Sequence, residues 1–503
     1  MSEQAARRRR YRFGPLQQPG VVGLLRFGQL MVVAVAAALA LLALYVLRDF
    51  LGLLIGLIAL MTAGAVIFLP VDGRTLDEWA PIVMRWARRS RADRRGYRSI
   101  TASTGVQLEH DGEPAYEPSL PAELADLDML EVPYGQDEVG VIRNRDTGSY
   151  TAVIAVRAGA FGLRDPSEQE RKLDAWGAVL ASSARDGSPV RRLQWIERTL
   201  PAQGDELAAY LQAERDRSVP LDSNLVRSYI ELVESAAPAT QEHEILVALQ
   251  IDQRRGAREL KRLGGGDEGA CELLLREAES FAERLSIADV TVFGVLRPRQ
   301  YAELVRDGFD PYGRRGRARA ALRDESREGV DPARMGPLAD QTTWGYYRSD
   351  SALHATYWIA AWPRSDVGPA FLAPLLMQTT AVRTIAVTIE PIPYSIAMRK
   401  AEAAQTAEVA EEIQRDRQGF MTTARLRRRQ QATARREEEL ADGHAEMRFA
   451  GYITVSGASL EELDRSCSDV EHSAQLARLE LQRLYGEQDV GFTFTLPLCR
   501  GLA

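Results

Sequence analysis

The side chains that most often carry out catalysis or bind metals are few and scattered in this chain of 503 residues. The five histidines are His110, His243, His354, His444 and His472. None of them forms the HExxH or His-x3-His spacing of a zinc site. The three cysteines are Cys271, Cys467 and Cys499. They form no CxxC pair, so neither a zinc site nor a disulfide framework is predicted.

A phosphate-binding loop is also missing from the sequence. A P-loop needs GxxxxGK[ST], but none of the three lysines is followed by Ser or Thr. The glycines at 264–266 precede Asp267 and Glu268, whose charge is wrong for a phosphate neighbour, so they indicate a turn. The run TIAVTIE at 384–390 resembles a strand that ends in a catalytic carboxylate, but without a phosphate cradle we interpret it as a core strand. We expect no catalytic residue, no cofactor, no metal ion and no enzyme activity.

The strongest charged feature is an arginine-rich stretch at 415–439. Its candidate contact residues are Arg425, Arg427, Arg428, Arg429, Arg435 and Arg436. They could bind nucleic acid or the acidic surface of a partner. Glu437, Glu438 and Glu439 follow at once and offset the positive field, which favours a solvent-exposed helix with blocks of charge.

Two apolar runs organise the chain, and the rest of the protein must be positioned relative to them. Residues 27–47 contain Gln29 as their one strongly polar side chain, and residues 50–71 contain no charge. A helix needs about 20 apolar residues to cross a bilayer, so each run can span it. Only Arg48 and Asp49 separate the runs, which predicts a tight antiparallel hairpin. A signal peptide would not be followed by a second span, whereas a re-entrant or interfacial pair stays open as an alternative.

Arginines flank both ends of this hairpin and predict its orientation. Six arginines precede it and eight lie between its end and residue 98, whereas the connecting turn is neutral. The positive-inside rule places both termini in the cytoplasm and predicts a plasma-membrane protein with two spans. Tyr45, Trp79 and Trp86 suit anchoring at the membrane interface.

The overall charge of −7 conceals a strong asymmetry. Residues 1–98 hold 15 arginines against 6 acidic residues, whereas the remainder holds 48 basic and 64 acidic residues. The basic part suits the anionic inner leaflet, and the acidic part disfavours bulk binding of nucleic acid. Arginines outnumber the three lysines twentyfold, which points with the abundant alanine to a GC-rich, actinobacterial genome.

The alternation of strand-like and helical segments predicts an α+β protein with two cytosolic lobes. The predicted segments are a basic lead (1–26), the membrane hairpin (27–71), an amphipathic connector and linker (72–135), a first α/β lobe (136–309), a linker (310–340) and a second α/β lobe (341–503) with a long helical insertion (395–441). Each lobe has the order strand, helix, strand, helical insert, strand, helix, strand. We interpret this as a duplicated ferredoxin-like, split βαβ unit.

The predicted elements have the following bounds. In the first lobe the strands are at 152–156, 193–197, 243–251 and 290–296, and the helices at 167–185, 205–235 and 271–285. In the second lobe the strands are at 354–361, 384–389, 449–455 and 490–496, and the helices at 369–377, 395–441 and 459–484. A further hairpin is predicted at 139–156, around the turn sequence NRDTG.

The order of basic lead, two-span hairpin and duplicated α/β region resembles bacterial type IV secretion and conjugation proteins. The hairpin is similar to the PrgI-type inner-membrane subunit, and the region after it to the N-terminal domain of the TraC/TrbE-type secretion ATPase. The closest resemblance lies in the strand at 449–455 with Ser456, the helix after Ser459, and VGFTFTLPL at 490–498. The opening YRFGPL at 11–16 and the segment 135–156 also resemble membrane proteins of actinobacterial conjugative elements.

The resemblance implies a structural part of a secretion machine and carries over no catalytic residue. In the ATPase family a similar final strand leads into the motor domain, and this sequence ends at Ala503, so we expect the motor to be a separate protein. The expected function is a membrane-anchored scaffold that docks this ATPase at the cytoplasmic face, within an oligomeric complex that transfers DNA or protein. An edge strand of a lobe or the helices at 395–441 are the expected contacts. The alternative is a membrane-tethered DNA-handling protein that uses the arginine-rich helix at 415–436.

Overall fold

The computed structural model describes residues 27–502 apart from several gaps. The gaps are 69, 72, 92–95, 100–108, 111–112, 115–119, 160, 162–163, 202–222, 225–227, 229–240, 315–316, 318–328, 378–379, 418–437 and 442. The predicted basic lead and the predicted helix at 205–235 therefore lie outside the described residues, apart from positions 223, 224 and 228.

The helices and strands have the following bounds. The helices are α1 (Phe27–Leu47), α2 (Phe50–Phe68), α3 (Leu76–Arg91), α4 (Pro166–Ser182), α5 (Ala257–Arg262), α6 (Gly266–Ile287), α7 (Pro298–Phe309), α8 (Ala373–Met377), α9 (Tyr394–Arg417), α10 (Leu460–Leu476) and α11 (Gln488–Thr493), with a 3-10 helix at Pro332–Arg334. The strands before the first lobe are β1 (Pro70–Val71), β2 (Arg74–Thr75), β3 (Gly96–Arg98), β4 (Glu109–His110), β5 (Glu113–Pro114) and β6 (Leu127–Tyr134). The remaining strands are β7 (Asp137–Asn144), β8 (Ser149–Ala158), β9 (Val190–Pro201), β10 (Gln241–Asp252), β11 (Val290–Val295), β12 (Ala339–Thr342), β13 (Tyr347–Ser349), β14 (Ala352–Ala361), β15 (Val382–Pro391), β16 (Met447–Gly457) and β17 (Glu480–Arg483).

Thirteen of these strands form one antiparallel sheet. Their order is β3-β12-β13-β14-β16-β15-β9-β10-β8-β7-β6, with β11 paired to β8 and β17 paired to β14. The central strands are apolar on both faces: Ala152, Val153 and Ile154 of β8 are fully buried in succession. Such a run, rather than an alternation of apolar and polar residues, is expected where layers cover both faces of a sheet.

The two halves of the chain contribute to this sheet in the same order. In each half the order of the strands across the sheet is fourth, first, third and second. This order is β11-β8-β10-β9 in the first half and β17-β14-β16-β15 in the second half. A preceding hairpin, β6-β7 or β12-β13, joins the outer edge of the first strand. The halves meet through β9 and β15, which pair from Arg383–Thr199 to Ile389–Leu193. The lobes predicted as separate units therefore share one continuous sheet.

Each face of the sheet has its own covering layer. Helices α4 and α6 cover one face of the first half, around Val247, Leu274 and Phe281. Helices α8 and α10 cover the corresponding region of the second half, around Ile453 and Val470. The opposite face is covered by α7, the 3-10 helix and the C-terminal segment, which share one apolar core.

The C-terminal segment 494–502 crosses the junction of the two halves. Gln194 of β9 donates from Nε2 to the carbonyl of Phe494 (2.8 Å) and accepts from the Cys499 backbone N–H (2.8 Å). Thr388 of β15 donates to the Arg500 carbonyl (2.8 Å). Tyr301 of α7 donates to the carbonyl of Pro497 (2.7 Å). Both halves are therefore hydrogen-bonded to the same segment.

Three sequence predictions are wrong in this region and in the connectors. The strand predicted at 490–496 is the helix α11, and the helix predicted at 459–484 ends at Leu476 and is followed by β17. The alternation of apolar and polar residues in VGFTFTLPL suggested a strand. In the structure Phe492 and Leu496 enter the core beneath the sheet, while the Thr495 hydroxyl lies 2.8 Å from the Thr454 hydroxyl. The predicted linker at 72–135 also contains β6.

The linker predicted at 310–340 is partly ordered, with the 3-10 helix and the start of β12. In the long helical insertion, α9 begins as predicted and is described as far as Arg417. Leu440 packs against Ala397 and Ala401, so the chain returns to the start of α9 after the segment that lies outside the described residues.

Candidate functional site

Helices α1 and α2 are long and apolar enough to span a membrane. Small side chains dominate their buried positions: Ala36, Ala40 and Ala63 are buried, and a Cβ at Gly56 would lie 3.3 Å from the Ala40 methyl group. Close approach through small residues is typical of helix pairs in bilayers. The large apolar side chains point outward, and only 11% and 22% of the two spans are buried in the protein. A core helix of a soluble protein would instead be mostly buried.

The connector helix α3 fixes this hairpin to the sheet. Trp79 and Trp86 pack on Trp344, with ring centroids 5.8 and 5.6 Å apart, and Trp79 lies 6.5 Å from the ring of Tyr485. Ile82, between the two tryptophans, is 4% exposed. Aromatic clusters of this size contribute both buried area and specific geometry. Trp79 and Trp86, predicted as interfacial anchors, therefore contact the α/β domain.

Ion pairs also stabilise this contact between the connector and the domain. Glu487, just before α11, forms ion pairs with Arg74 (3.3 Å) and Arg85 (2.9 Å). The Arg74 guanidinium also lies over the Trp79 ring, 5.6 Å from its centroid. Two of the arginines that predicted the orientation of the hairpin thus bind one carboxylate of the domain.

Gly486 allows this close packing. Its φ of +75° is in the left-handed region, which favours glycine. A Cβ at this position would lie 2.7 Å from the Trp344 ring and 2.9 Å from Ile82. Sequence reasoning missed Trp344, Tyr485, Gly486 and Glu487. Nothing in their local sequence indicates that they meet the connector, which lies about 260 positions before Trp344 and about 400 before the other three.

At the other end of the sheet, β11 leaves an open edge. Among the described residues β11 pairs only with β8. Phe293 on this strand is 60% exposed, and the Arg157 guanidinium lies 5.0 Å from the centre of its ring. Ile287, at the end of α6, is 84% exposed. Such an edge offers backbone donors and acceptors to an added strand.

A groove of about 490 Å³ adjoins this edge, between β8, β10 and α7. Phe293, Arg157 and Arg198 contribute to its lining, together with a cluster of charges around Arg314. Arg198 is buried and forms an ion pair with Glu244 at 3.4 Å. Peptide and ligand grooves commonly have this size and combine apolar walls with a few polar groups.

Arg314 holds the charged wall of the groove together. Its guanidinium forms ion pairs with Glu242 (2.9 Å), Glu244 and Asp307 (2.8 Å). Burial lowers the pKa of Arg314, but the three carboxylates outweigh this effect and hold its pKa above the ordinary value. Burial also raises the pKa of Glu303, and the nearby Asp307 raises it further. The cluster therefore keeps Arg314 charged inside the protein.

The histidines that sequence analysis considered have local structural contacts. His243 Nδ1 lies 2.9 Å from Glu197 Oε1. His354 is fully buried, with Nδ1 2.8 Å from the hydroxyl of Ser456 and Nε2 2.9 Å from that of Ser349. Burial lowers the pKa of His354 to about 4, so its imidazole is neutral. The two histidines lie in different halves of the sheet and form no common site.

The candidate contact residues in the arginine-rich stretch lie outside the described residues. They are Arg425, Arg427, Arg428, Arg429, Arg435 and Arg436. Helix α9 is described as far as Arg417, shortly before them.

A scan against models of protein families finds no match to this chain, and a search of curated proteins finds none either.

Proposed function

We propose that this protein is a membrane-anchored structural component of a conjugation or type IV secretion machine that docks a separate motor ATPase. The observation that carries the proposal is the direct packing of connector α3, which follows two membrane-length helices, onto a large α/β domain. This packing supports a role in holding the domain at a defined position beside the membrane. The sequence resemblance to secretion proteins of actinobacterial conjugative elements suggests which machine it belongs to.

The proposed topology places both termini and the domain in the cytoplasm of a plasma-membrane protein. Arginines before α1 and after α2 support this orientation through the positive-inside rule. The ion pairs of Arg74 and Arg85 with Glu487 fit the same orientation, because they connect this flank to the domain. Docking of the motor would then take place at the cytoplasmic face.

We propose further that each half of the sheet is a split βαβ unit. The order of fourth, first, third and second strand, with all neighbours antiparallel, supports this interpretation in both halves. The β9–β15 junction would then join two copies of the unit by their second strands.

A comparison of the two fourth strands suggests where the partner docks. Beside β17, Arg483 donates from Nε to the Gly345 carbonyl (2.9 Å), and Gly486 donates from its backbone to the Trp344 carbonyl (2.8 Å). This loop and α3 cover the β17 side. The equivalent β11 has no such cover among the described residues and exposes Phe293 beside the groove. We propose that a strand or an extended segment of the ATPase adds to β11.

The experiment is a pull-down of the full chain, in detergent, against the ATPase encoded nearest its gene. We expect a stable complex with the unaltered protein and at least about tenfold weaker capture with Phe293→Asp, because a charge would replace an apolar contact at the centre of the edge. Leu476→Asp is the matched control, since Leu476 is 53% exposed but lies at the end of α10 on the opposite face. ATP hydrolysis should be found in the partner ATPase.

Three results would overturn the proposal. Absence of any complex removes the docking function. Equal capture of Phe293→Asp and the unaltered protein removes β11 as the docking edge. Salt-sensitive binding of DNA by the full chain, lost when the six arginines at 425–436 become glutamine, would instead favour the DNA-handling function.

A further inference from the structure

Helix α3 carries a second apolar stripe, which is exposed. The stripe consists of Leu76, Ala80, Val83, Met84 and Ala87, all exposed; Leu76, Val83 and Met84 are 37%, 48% and 52% exposed. Their spacing of four, three, one and three residues places them on one side of the helix. Since each residue turns an α-helix by about 100°, this stripe lies about 100° around the helix from Trp79, Ile82 and Trp86.

The stripe begins where the chain leaves the membrane-length hairpin. Helix α2 ends at Phe68, and β1 and β2 then turn the chain back on itself, with Pro70 opposite Thr75. Paired residues of antiparallel strands are about 5 Å apart, so Leu76 lies close to the point where the chain leaves α2. Helix α3 also packs against α2. Any bilayer that holds α2 is therefore beside the first turn of α3.

We propose that this stripe lies in the headgroup region of the same bilayer, so that α3 is an interfacial helix with one face in lipid and the other on the sheet. An amphipathic helix with an apolar face and basic neighbours binds at this depth. Arg88 is exposed near the edge of the stripe and can reach anionic headgroups with its long side chain. The inference depends on the membrane anchoring in the proposed function but not on the docking of an ATPase.

The arrangement fixes the orientation of the domain. Because Trp79 and Trp86 hold α3 against Trp344, the end of the sheet near β17 faces the membrane. The β11 edge belongs to the other half of the same sheet, beyond the β9–β15 junction. It is therefore turned toward the cytoplasm and stays accessible to a soluble partner.

The test is depth measurement with a fluorescent label on the full chain in vesicles that contain anionic lipid. Met84→Cys is labelled with an environment-sensitive dye, and lipids that carry a nitroxide near the headgroup act as quenchers. The native cysteines are buried and do not compete for the dye. Ile287→Cys is the control, because Ile287 is 84% exposed and lies at the end of α6, just before β11 and in the half of the sheet away from β17. Ile58→Cys in the middle of α2 reports on the hairpin itself.

We expect the label at position 84 to lose most of its fluorescence to the shallow quencher, and the label at 287 to lose almost none. Equal quenching at 84 and 287 would overturn the interfacial placement, even if the ATPase still docks. If the label at 58 is not quenched by lipids with a deep nitroxide, the hairpin is not in the bilayer and the inference fails with it. Loss of ATPase capture alone, with strong quenching at 84, would leave the inference supported and count only against the docking function.

Discussion

The ion pairs of Arg314 permit a quantitative prediction for Arg314→Met. The side chain is 9% exposed and binds Asp307, which is 3% exposed, and Glu244, which is 22% exposed. Removing one partner of a buried ion pair typically costs about 3–5 kcal/mol, because a charge is left buried without compensation. Here Asp307 keeps Arg317 at 2.6 Å, and Glu244 keeps Arg198 at 3.4 Å. We therefore expect a smaller loss of unfolding free energy, about 2–4 kcal/mol.

The assay is thermal unfolding of the full chain in detergent, followed by near-ultraviolet circular dichroism. For a region of about 400 residues, this loss should lower Tm by about 3–5 °C. The control is Arg364→Met, which removes an exposed ion pair with Glu480 and should cost less than about 1 kcal/mol.

A double variant separates charge compensation from packing. Arg314→Met combined with Glu242→Gln should recover part of the lost stability, since Glu242 has no second ion-pair partner among the described residues, whereas Asp307 and Glu244 keep Arg317 and Arg198. The reasoning is refuted if Arg314→Met destabilises no more than Arg364→Met. It is also refuted if the double variant is less stable than Arg314→Met alone.

Three further predictions concern the connector, the buried histidine and the cysteines. Gly486→Ala should speed amide hydrogen exchange across residues 76–88, because the added Cβ would meet Trp344 and Ile82. Gly443→Ala is the control and should not have this effect, since Gly443 also has a positive φ but its Cβ would meet neither residue. The pKa of His354 is lowered from 6.5 to about 4, so the stability from its neutral form is present above pH 6.5 and is lost as pH falls toward 4. Denaturant titrations should show that the unaltered protein loses about 2 kcal/mol more than His354→Gln between pH 7 and pH 5, and equal losses would contradict this. Burial raises the pKa of all three cysteine thiols, and mass spectrometry should find no maleimide on the folded protein and three after denaturation; labelling of the folded chain would be the contrary result. These cysteines are Cys271, Cys467 and Cys499.

The sequence predicts the elements of this fold well where a strong local pattern decides them. Helix α1 has the predicted bounds, and α2 ends near the predicted position because Pro70 begins a turn. The strand predicted at 243–251 lies within β10, since an apolar run of this kind is stable only between two covering layers.

The contacts between distant segments could not be predicted in this way. Pairing of β9 with β15 depends on complementary edges about 190 positions apart, and no residue in either strand marks its partner. The alternation in VGFTFTLPL indicated a strand, but the apolar side chains of α11 and the residues after it fill the core beside Phe309. The connector was predicted as amphipathic, yet only the structure shows that one apolar face packs on Trp344 while a second apolar face is exposed.

The segment 494–502 also constrains when the protein can finish folding. A ribosome adds about 5–20 residues per second, so this segment is completed roughly half a minute after α2 has been made. Until then Ile196, Ala248 and their neighbours on this face of the sheet can be covered by α7 and the 3-10 helix, but they lack the part of the layer that this segment supplies. The nascent domain therefore keeps part of an apolar face uncovered until residues 494–502 have been made, and it depends on this segment to close the core.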